Sequence, residues 1–218
     1  ELAQHHVGGQ LSVAPEHVSE DVLRLMKKPG AGSYDRFAAQ FKCASHEAGK
    51  EQYLVPYYIS GHPGSRLDDM IDLALYLKRH DLRPRQVQDF IPTPMSLAAT
   101  MYYTGLNPLS KDAAEPVYVA RGLREKKLQK ALLLYWDPGH HELAREALLR
   151  AGRPELIGHG PDCLVPPASP HQRPREPLPE SAYAPQFRGK PSYRPAKTHS
   201  HVNEDRASAA GRTVSWVR

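Results

Sequence analysis

The fold is decided by one stretch with three distinct parts, LVPYYISGHPGSRLDDMIDLALYLKRH, at residues 54–80. Its first part, LVPYYIS, is typical of a buried strand. Its last part repeats apolar residues at the spacing of one helical face. The GHPG segment between them predicts a tight turn, because glycine adopts backbone conformations that other residues avoid. The turn is also the part in which a missing side chain would let a ligand approach the backbone.

The sequence on both sides repeats the same strand and helix pattern. Strands are predicted at 10–14, 53–60 and 86–91, and helices at 19–28, at 34–48 and after Ser65. Ser19, Ser33 and Ser65 are predicted to cap the three helices. Strands that alternate with helices predict an α/β fold with parallel pairing and right-handed crossovers. Pro56 conflicts with a strand at that position, because proline cannot donate to the hydrogen-bond ladder.

The C-terminal half divides into a helical part and a tail. Helices are predicted at 125–136 and from Pro138 to Ala151. Nine prolines lie between residues 166 and 195, so that segment cannot bury enough apolar surface to offset its ordering entropy. We therefore divide the chain into a β/α segment at 1–109, a helical extension at 110–166 and a disordered, proline-rich basic tail at 167–218.

The net charge of +5 belongs to the tail. Residues 165–218 contain nine Lys and Arg against four Asp and Glu, whereas residues 1–164 contain 20 of each sign. Cys43 and Cys163 form no disulfide framework, which indicates a reducing, cytoplasmic location. The longest apolar run, ALLLYW at 131–136, is too short to span a membrane, so we expect no membrane partner.

Four blocks of sequence, taken in order, closely resemble one known family. They are GGQLSVAPEHVSEDVLRLMKKPG (8–30), YLVPYYISGHPGSRLDDMIDLALYLKR (53–79), QVQDFIPTPMSLAATMYYTGLNPL (86–109), and LQKALLLYWDPGHHELAREALLRAG with LIGHGPDCLVP (128–152 and 156–166). Together they are similar to the C-terminal portion of the YgiQ family of radical S-adenosylmethionine (SAM) proteins. The resemblance covers about residues 5–166, and the tail has none that is usable.

The resemblance implies a fold and two cofactors. Related enzymes have a partial (β/α) barrel in which a CxxxCxxC loop after the first strand holds three irons of a [4Fe–4S] cluster. The fourth iron binds SAM, and reduction of SAM gives a 5′-deoxyadenosyl radical. This sequence has no CxxxCxxC motif, and its two cysteines are too few to hold three irons. We therefore expect the later half of the barrel plus the family's extension, inactive without its partner, the missing N-terminal half.

The resemblance also implies which residues bind SAM. At the carboxyl end of the second strand, Ile59 would contact the adenine, beside the turn of Gly61 and His62. The superfamily pattern GxIxGxxE is met at Ile59 and Gly61, whereas Tyr57 and Gly64 replace its outer Gly and Glu. Carboxyl ends of parallel strands are where such folds bind ligands.

The ends of the other two strands complete this predicted site. Glu16 and His17 would bind the ribose hydroxyls or the methionine carboxylate of SAM, and Phe90 with Pro92 would meet the adenine edge. The alternative for the first pair is that Glu16 begins the next helix and His17 is a loop residue. For the second pair, the alternative is a proline-rich end to the strand. The substrate of the intact enzyme stays unknown.

Two other patterns in the sequence resemble binding sites. His5–His6 and His140–His141 lack metal-ligand spacing, and adjacent side chains point apart, so we predict no metal ligands in this chain. A basic cluster around residue 125 either grips phosphate or is a solvated helix face. It consists of Arg121, Arg124, Lys126, Lys127 and Lys130.

Two functions compete with that of a radical-SAM enzyme fragment. One is a nucleic-acid-binding module that makes weak contacts through the basic cluster and the tail. The other is a truncated product without function, because half a parallel barrel exposes strand edges and one apolar face.

Overall fold

The computed structural model describes residues 1–85, 87–111 and 115–168. Within these residues a parallel sheet has the order β1-β2-β3, with β1 at Gln10–Glu16, β2 at Tyr53–Ser60 and β3 at Val87–Asp89. The predicted α/β class and the parallel pairing are confirmed. Strand β1 is two residues longer than predicted, and β3 ends two residues earlier. The predicted disordered tail lies outside the described residues from 169 onward.

The helices follow the predicted order, with one addition. Helices α1 and α2 connect β1 to β2, α3 connects β2 to β3, and the others come later. Their bounds are Glu20–Met26 (α1), Ala31–Glu47 (α2), Leu67–Arg79 (α3), Leu97–Thr104 (α4), Leu123–Leu133 (α5) and His141–Arg150 (α6). Short helical turns lie at Leu2–His6, Pro138–His140 and Pro154–Leu156. Helix α4 was not predicted, although Ser96 caps its first turn and Gly105 ends it.

Two helices have caps other than the predicted serines. Helix α2 is capped by Gly30 and begins before Ser33. Helix α3 is capped by Arg66, whose backbone N–H donates to the Asp69 carboxylate at 2.9 Å. Ser65 is instead buried, with its hydroxyl 3.4 Å from Nε2 of His17. The predicted cap is therefore wrong by one residue, because Ser65 has a tertiary partner.

Pro56 is accommodated by the uneven lengths of the strands. Strand β2 pairs with β1 from Tyr53 onward but with β3 only from Tyr58, so β2 has one neighbour at Pro56. A missing N–H is tolerated at such an edge. On β1, Val13 pairs with Pro56 and the next pair is Glu16 with Tyr58, so β1 has one extra residue here. This β-bulge redirects Glu16 at the carboxyl end of the sheet.

The core lies between one face of the sheet and the helices. Tyr58 of β2 is fully buried and belongs to the same apolar cluster as residues of α3, α5 and α6, such as Leu73, Leu132 and Leu148. Helices of the extension therefore share a core with the sheet. The division between a segment at 1–109 and an extension at 110–166 stays a prediction. On the opposite face Ser12 and Gln88 are exposed, while three residues of β2 are half-buried: Val55, Tyr57 and Ile59.

In the part of the chain that the structure describes, no helix combines the length and the apolar character needed to cross a bilayer.

Candidate functional site at the strand ends

The carboxyl ends of the three strands open onto one cleft of about 820 Å³. Small-molecule sites in proteins commonly have volumes of roughly 300–1,000 Å³. The cleft is walled by the strand ends, by the end of α1 and the residues after it, and by the segment from Ile91 to Ala98. Of the predicted site residues, it brings together Glu16, Ile59, His62 and Phe90.

Glu16 reaches the cleft from the β-bulge. Its φ of 67° is in the left-handed region that non-glycine residues seldom occupy. Its carboxylate lies 3.4 Å from Nζ of Lys28, which also donates to the Ala14 carbonyl at 2.6 Å. The Glu16 and Lys28 side chains are 22% and 33% exposed, so the ion pair contributes little to stability. The carboxylate is a hydrogen-bond acceptor at the edge of the cleft.

His62 supplies an aromatic wall and one acceptor nitrogen. Its Nδ1–H donates to the Pro63 carbonyl at 2.8 Å, which leaves the lone pair on Nε2. Burial lowers the pKa of His62, and the bond to Pro63 opposes that shift. The ring meets Phe90 edge-to-face at 5.2 Å, and Phe90 lies 5.8 Å from the Tyr102 ring. The imidazole is therefore neutral at physiological pH and continues an apolar aromatic surface.

His17 lies behind the cleft and does not line it. Its Nδ1 accepts the backbone N–H groups of Val18 and Ser19, each at 3.0 Å. The side chain is buried, and burial lowers its pKa to about 4, with a further lowering by His62 and an opposing effect of Asp69. These contacts hold the backbone that leads into α1 and favour the loop role that the sequence left as the alternative.

The glycine turn is in contact with other residues of this chain and not with open space. Gly61 and Gly64 have φ values of +73° and +95°, so both need glycine. The Gly61 N–H donates to Oε1 of Gln129 at 2.9 Å, and the Gly64 N–H donates to the Tyr118 carbonyl at 2.7 Å. A Cβ on Gly64 would lie 2.3 Å from Leu25. Gly61 itself is not part of the cleft lining.

Pro92 is half-buried and likewise does not line the cleft, although its neighbours Ile91 and Thr93 do. The structure thus groups four of the seven predicted site residues and leaves His17, Gly61 and Pro92 behind or beside them.

Sequence reasoning missed Asp89, the last residue of β3. Its two carboxylate oxygens accept from Ser60 Oγ at 2.9 Å and from Lys130 Nζ at 2.8 Å. A charged residue inside a predicted strand was a usable signal. The other cleft residues had no such signal: Leu25, Met26, Lys27, Lys28, Gln88, Ile91, Thr93, Leu97 and Ala98.

Within residues 1–85, 87–111 and 115–168, no three His, Cys, Asp or Glu side chains are grouped as a metal site would require. His5 and His6 lie in the first helical turn of the chain. His140 lies 3.0 Å from the Asp137 carboxylate, which caps the short turn before α6.

The basic cluster at the start of α5 makes intramolecular contacts. Arg124 pairs with Glu146, and Lys126 donates to the Tyr102 hydroxyl at 3.1 Å. Arg121 donates to the Tyr103 carbonyl at 3.1 Å. These contacts favour a structural role for much of the cluster over a surface that grips phosphate.

Comparison with known proteins supports one family. Residues 85–215 match the family described as "Domain of unknown function (DUF3362)". The UPF0313 protein YgiQ of Escherichia coli K12 is 55% identical over 168 residues, which is 76% of this chain and 23% of that protein. UPF0313 proteins of Clostridium botulinum strain 657 and Vibrio parahaemolyticus are 51% and 52% identical over the same share of this chain.

The chain thus spans about a quarter of the length of these curated relatives, between 22% and 26%. No solved structure matches it. The family match covers more than half of the chain. The chain therefore belongs to the YgiQ (UPF0313) family and contains its DUF3362 domain.

Proposed function

We propose that this chain forms the adenosine-binding and substrate-facing part of a radical-SAM enzyme, whose intact form reductively cleaves SAM. The observation that carries this proposal is the cleft at the carboxyl ends of three parallel strands, with Glu16, Ile59, His62 and Phe90 around it. Parallel α/β folds bind nucleotides and cofactors at this edge. The intact enzyme would be cytoplasmic. The rest of its barrel would face the side of the sheet on which Val55, Tyr57 and Ile59 are half-buried.

The residues of the cleft suit an adenosyl group. Ile59 and Phe90 offer apolar surface to a flat purine, and Nε2 of His62 can accept a hydrogen bond from an amino or hydroxyl group. The Glu16 carboxylate can accept from ribose hydroxyls. In the intact enzyme, SAM would supply the 5′-deoxyadenosyl radical. The part of this chain's residues is to bind and orient the adenosine moiety and to exclude water from it.

The iron–sulfur cluster does not fit this chain. Three irons of such a cluster need three thiolates. The sequence has two cysteines, of which Cys43 is exposed on α2 and Cys163 lies in the extension. We therefore assign no reaction step to this chain alone.

Binding of an adenosyl ligand to the chain is the direct test. We expect S-adenosylhomocysteine to bind with millimolar affinity, since the chain supplies only part of the site. In two-dimensional NMR the shifted amide signals should map to Glu16, to residues 59–62 and to Phe90. The Ile59→Asp variant should bind about tenfold more weakly or worse, because a carboxylate replaces the apolar contact with the purine.

Val55→Asp is the matched control. Val55 lies on the same strand and the same sheet face as Ile59, is also half-buried, and does not line the cleft. This variant should keep the affinity of the unmodified chain. Equal loss in both variants, or signal changes far from the strand ends, would contradict an adenosine site here.

A second prediction concerns the cluster. After anaerobic treatment with iron and sulfide, the isolated chain should show no stable four-iron absorbance and should not cleave SAM under reducing conditions. The physical reason is the missing third thiolate. Iron and sulfide quantification after desalting provides the measurement, and a stoichiometric four-iron cluster with SAM cleavage would defeat the assignment.

A further inference from the structure

One face of helix α5 holds the ends of two strands. Lys126, Gln129 and Lys130 have the i, i+3, i+4 spacing that places side chains on one helix face. The Lys126 side chain passes 3.8 Å from the position of a Cβ on Gly61, and Lys130 donates to Asp89 at the end of β3. Between them, Gln129 meets the turn after β2. The extension thus touches the cleft from behind.

Gln129 is completely buried, and both ends of its amide are used. Its Oε1 accepts the Gly61 N–H and its Nε2 donates to the Ser65 carbonyl, each at 2.9 Å. Burying an amide is costly unless its hydrogen bonds are made. An apolar side chain would have sufficed for packing at this position. The choice of an amide is explained by the two backbone groups that it satisfies.

These two bonds span the turn. Gly61 is its first residue and Ser65 directly follows its last, so a single side chain fixes the separation of its two ends. The Tyr118 carbonyl holds the Gly64 N–H between them at 2.7 Å. Ile59 precedes the turn and His62 lies within it, and both line the cleft. A change in the turn would therefore move two cleft residues together.

We infer that Gln129 is a positioning residue for the cleft, and that α5, within the DUF3362 region, braces the adenosine-binding wall from outside. This inference rests on the proposed function. In this role the helical extension supports the ligand site without contacting the ligand. Gln129 acts on the ligand only through Gly61 and the turn.

The test combines amide exchange with ligand affinity. In Gln129→Met, which keeps the length of the side chain and removes both bonds, the Gly61 amide should exchange at least about tenfold faster, since about 1.4 kcal/mol of lost protection corresponds to a factor of ten. The affinity for S-adenosylhomocysteine should also fall about tenfold. A thermal melt checks that the variant is folded.

Gln52→Met is the matched control. The Gln52 amide donates to the Ala3 and Val7 carbonyls at 2.9 and 2.6 Å and accepts from Ser45 at 2.8 Å, far from the cleft. Its loss removes a comparable set of bonds. Gln52→Met should leave both the Gly61 exchange rate and the ligand affinity unchanged.

Gln129→Glu provides a readout that general destabilisation would not give. When protonated, a glutamic acid has one carbonyl oxygen to accept from Gly61 and one O–H to donate to Ser65, as the amide does. Burial raises the pKa of such a group. The affinity of this variant should therefore recover as the pH is lowered from 8 to 6, whereas that of the unmodified chain should not rise.

The outcomes separate the two proposals. If the unmodified chain binds no ligand, the proposed function fails, while the exchange rate of Gly61 still reports the contact with Gln129. If the chain binds and Gln129→Met binds equally well despite faster Gly61 exchange, the positioning role is overturned. Unchanged Gly61 exchange in Gln129→Met overturns the brace itself.

Discussion

Replacing Gly64 with alanine is expected to lower the free energy of unfolding by about 3 kcal/mol. The φ of +95° at this position costs an L-residue about 1–2 kcal/mol. The new Cβ would lie 2.3 Å from Cδ1 of Leu25, which is itself buried, so overpacking adds about 1–2 kcal/mol. Urea denaturation of both proteins, with the slope compared as well as the midpoint, measures the difference.

Gly49→Ala separates the two contributions. Gly49 has a φ of +65° and no atom within 4 Å of a built Cβ, so it has a comparable backbone cost without the clash. This variant should lose about 1 kcal/mol. Equal losses at the two positions would show that Leu25 moves aside freely. Leu25 lines the cleft, so such a movement would also reshape the candidate ligand site.

The sequence was sufficient for the fold class because the signals are local. Alternating apolar strands and the 3.6-residue period of α3 are properties of consecutive residues, and the three strands appeared where predicted to within two residues. Helix α4 carried its own signals, Ser96 at its start and Gly105 at its end. It was missed because its interior, LAATMYYT, is apolar without a clear helical period.

The site was predictable only in part, because its details depend on contacts between distant residues. The rule that ligands bind at the carboxyl ends of parallel strands located the cleft and four of its residues. From the same rule we predicted that the glycine turn contacts a ligand. Its Gly61 and Gly64 N–H groups instead donate to residues of the helical extension. Gln129 is 68 positions from Gly61, and no sequence period connects them.

The role of His17 also depends on contacts with distant residues and could not be predicted from the sequence. The sequence APEH is compatible with two roles for this histidine, ligand contact or loop residue. What decides between them is burial against α1 and the turn, including the approach of Ser65 at 3.4 Å. A buried, neutral histidine at this point has a consequence for stability that depends on pH.

The free energy of unfolding is expected to fall by about 3 kcal/mol as the pH is lowered from 6.5 to about 4, through His17 alone. Burial lowers the pKa of this histidine in the folded chain to about 4, against 6.5 when unfolded. Between these values the unfolded chain binds a proton that the folded chain does not. The contribution of His17 is therefore complete above pH 6.5 and is lost on acidification.

Neighbouring groups modify this dependence without reversing it. Asp69 raises the pKa of His17 and His62 lowers it, and both effects are smaller than that of burial. Burial also lowers the pKa values of His62 and His141, so their contributions have the same sign. Protonation of Nδ1 in His17 would in addition set an N–H against the N–H groups of Val18 and Ser19.

His17→Asn isolates the effect. The asparagine oxygen can take the place of Nδ1 as acceptor, so the start of α1 keeps its bonds, while the titrating group is gone. The variant should be less stable at pH 7 because it leaves a void, yet its stability should fall by about 3 kcal/mol less between pH 6.5 and 4. His159→Asn, at an exposed position, should reproduce the original pH profile. If the free energy of unfolding had the same pH dependence in all three proteins, His17 would bind its proton in the folded chain as readily as in water. That result would contradict a buried, neutral His17 ring behind the cleft.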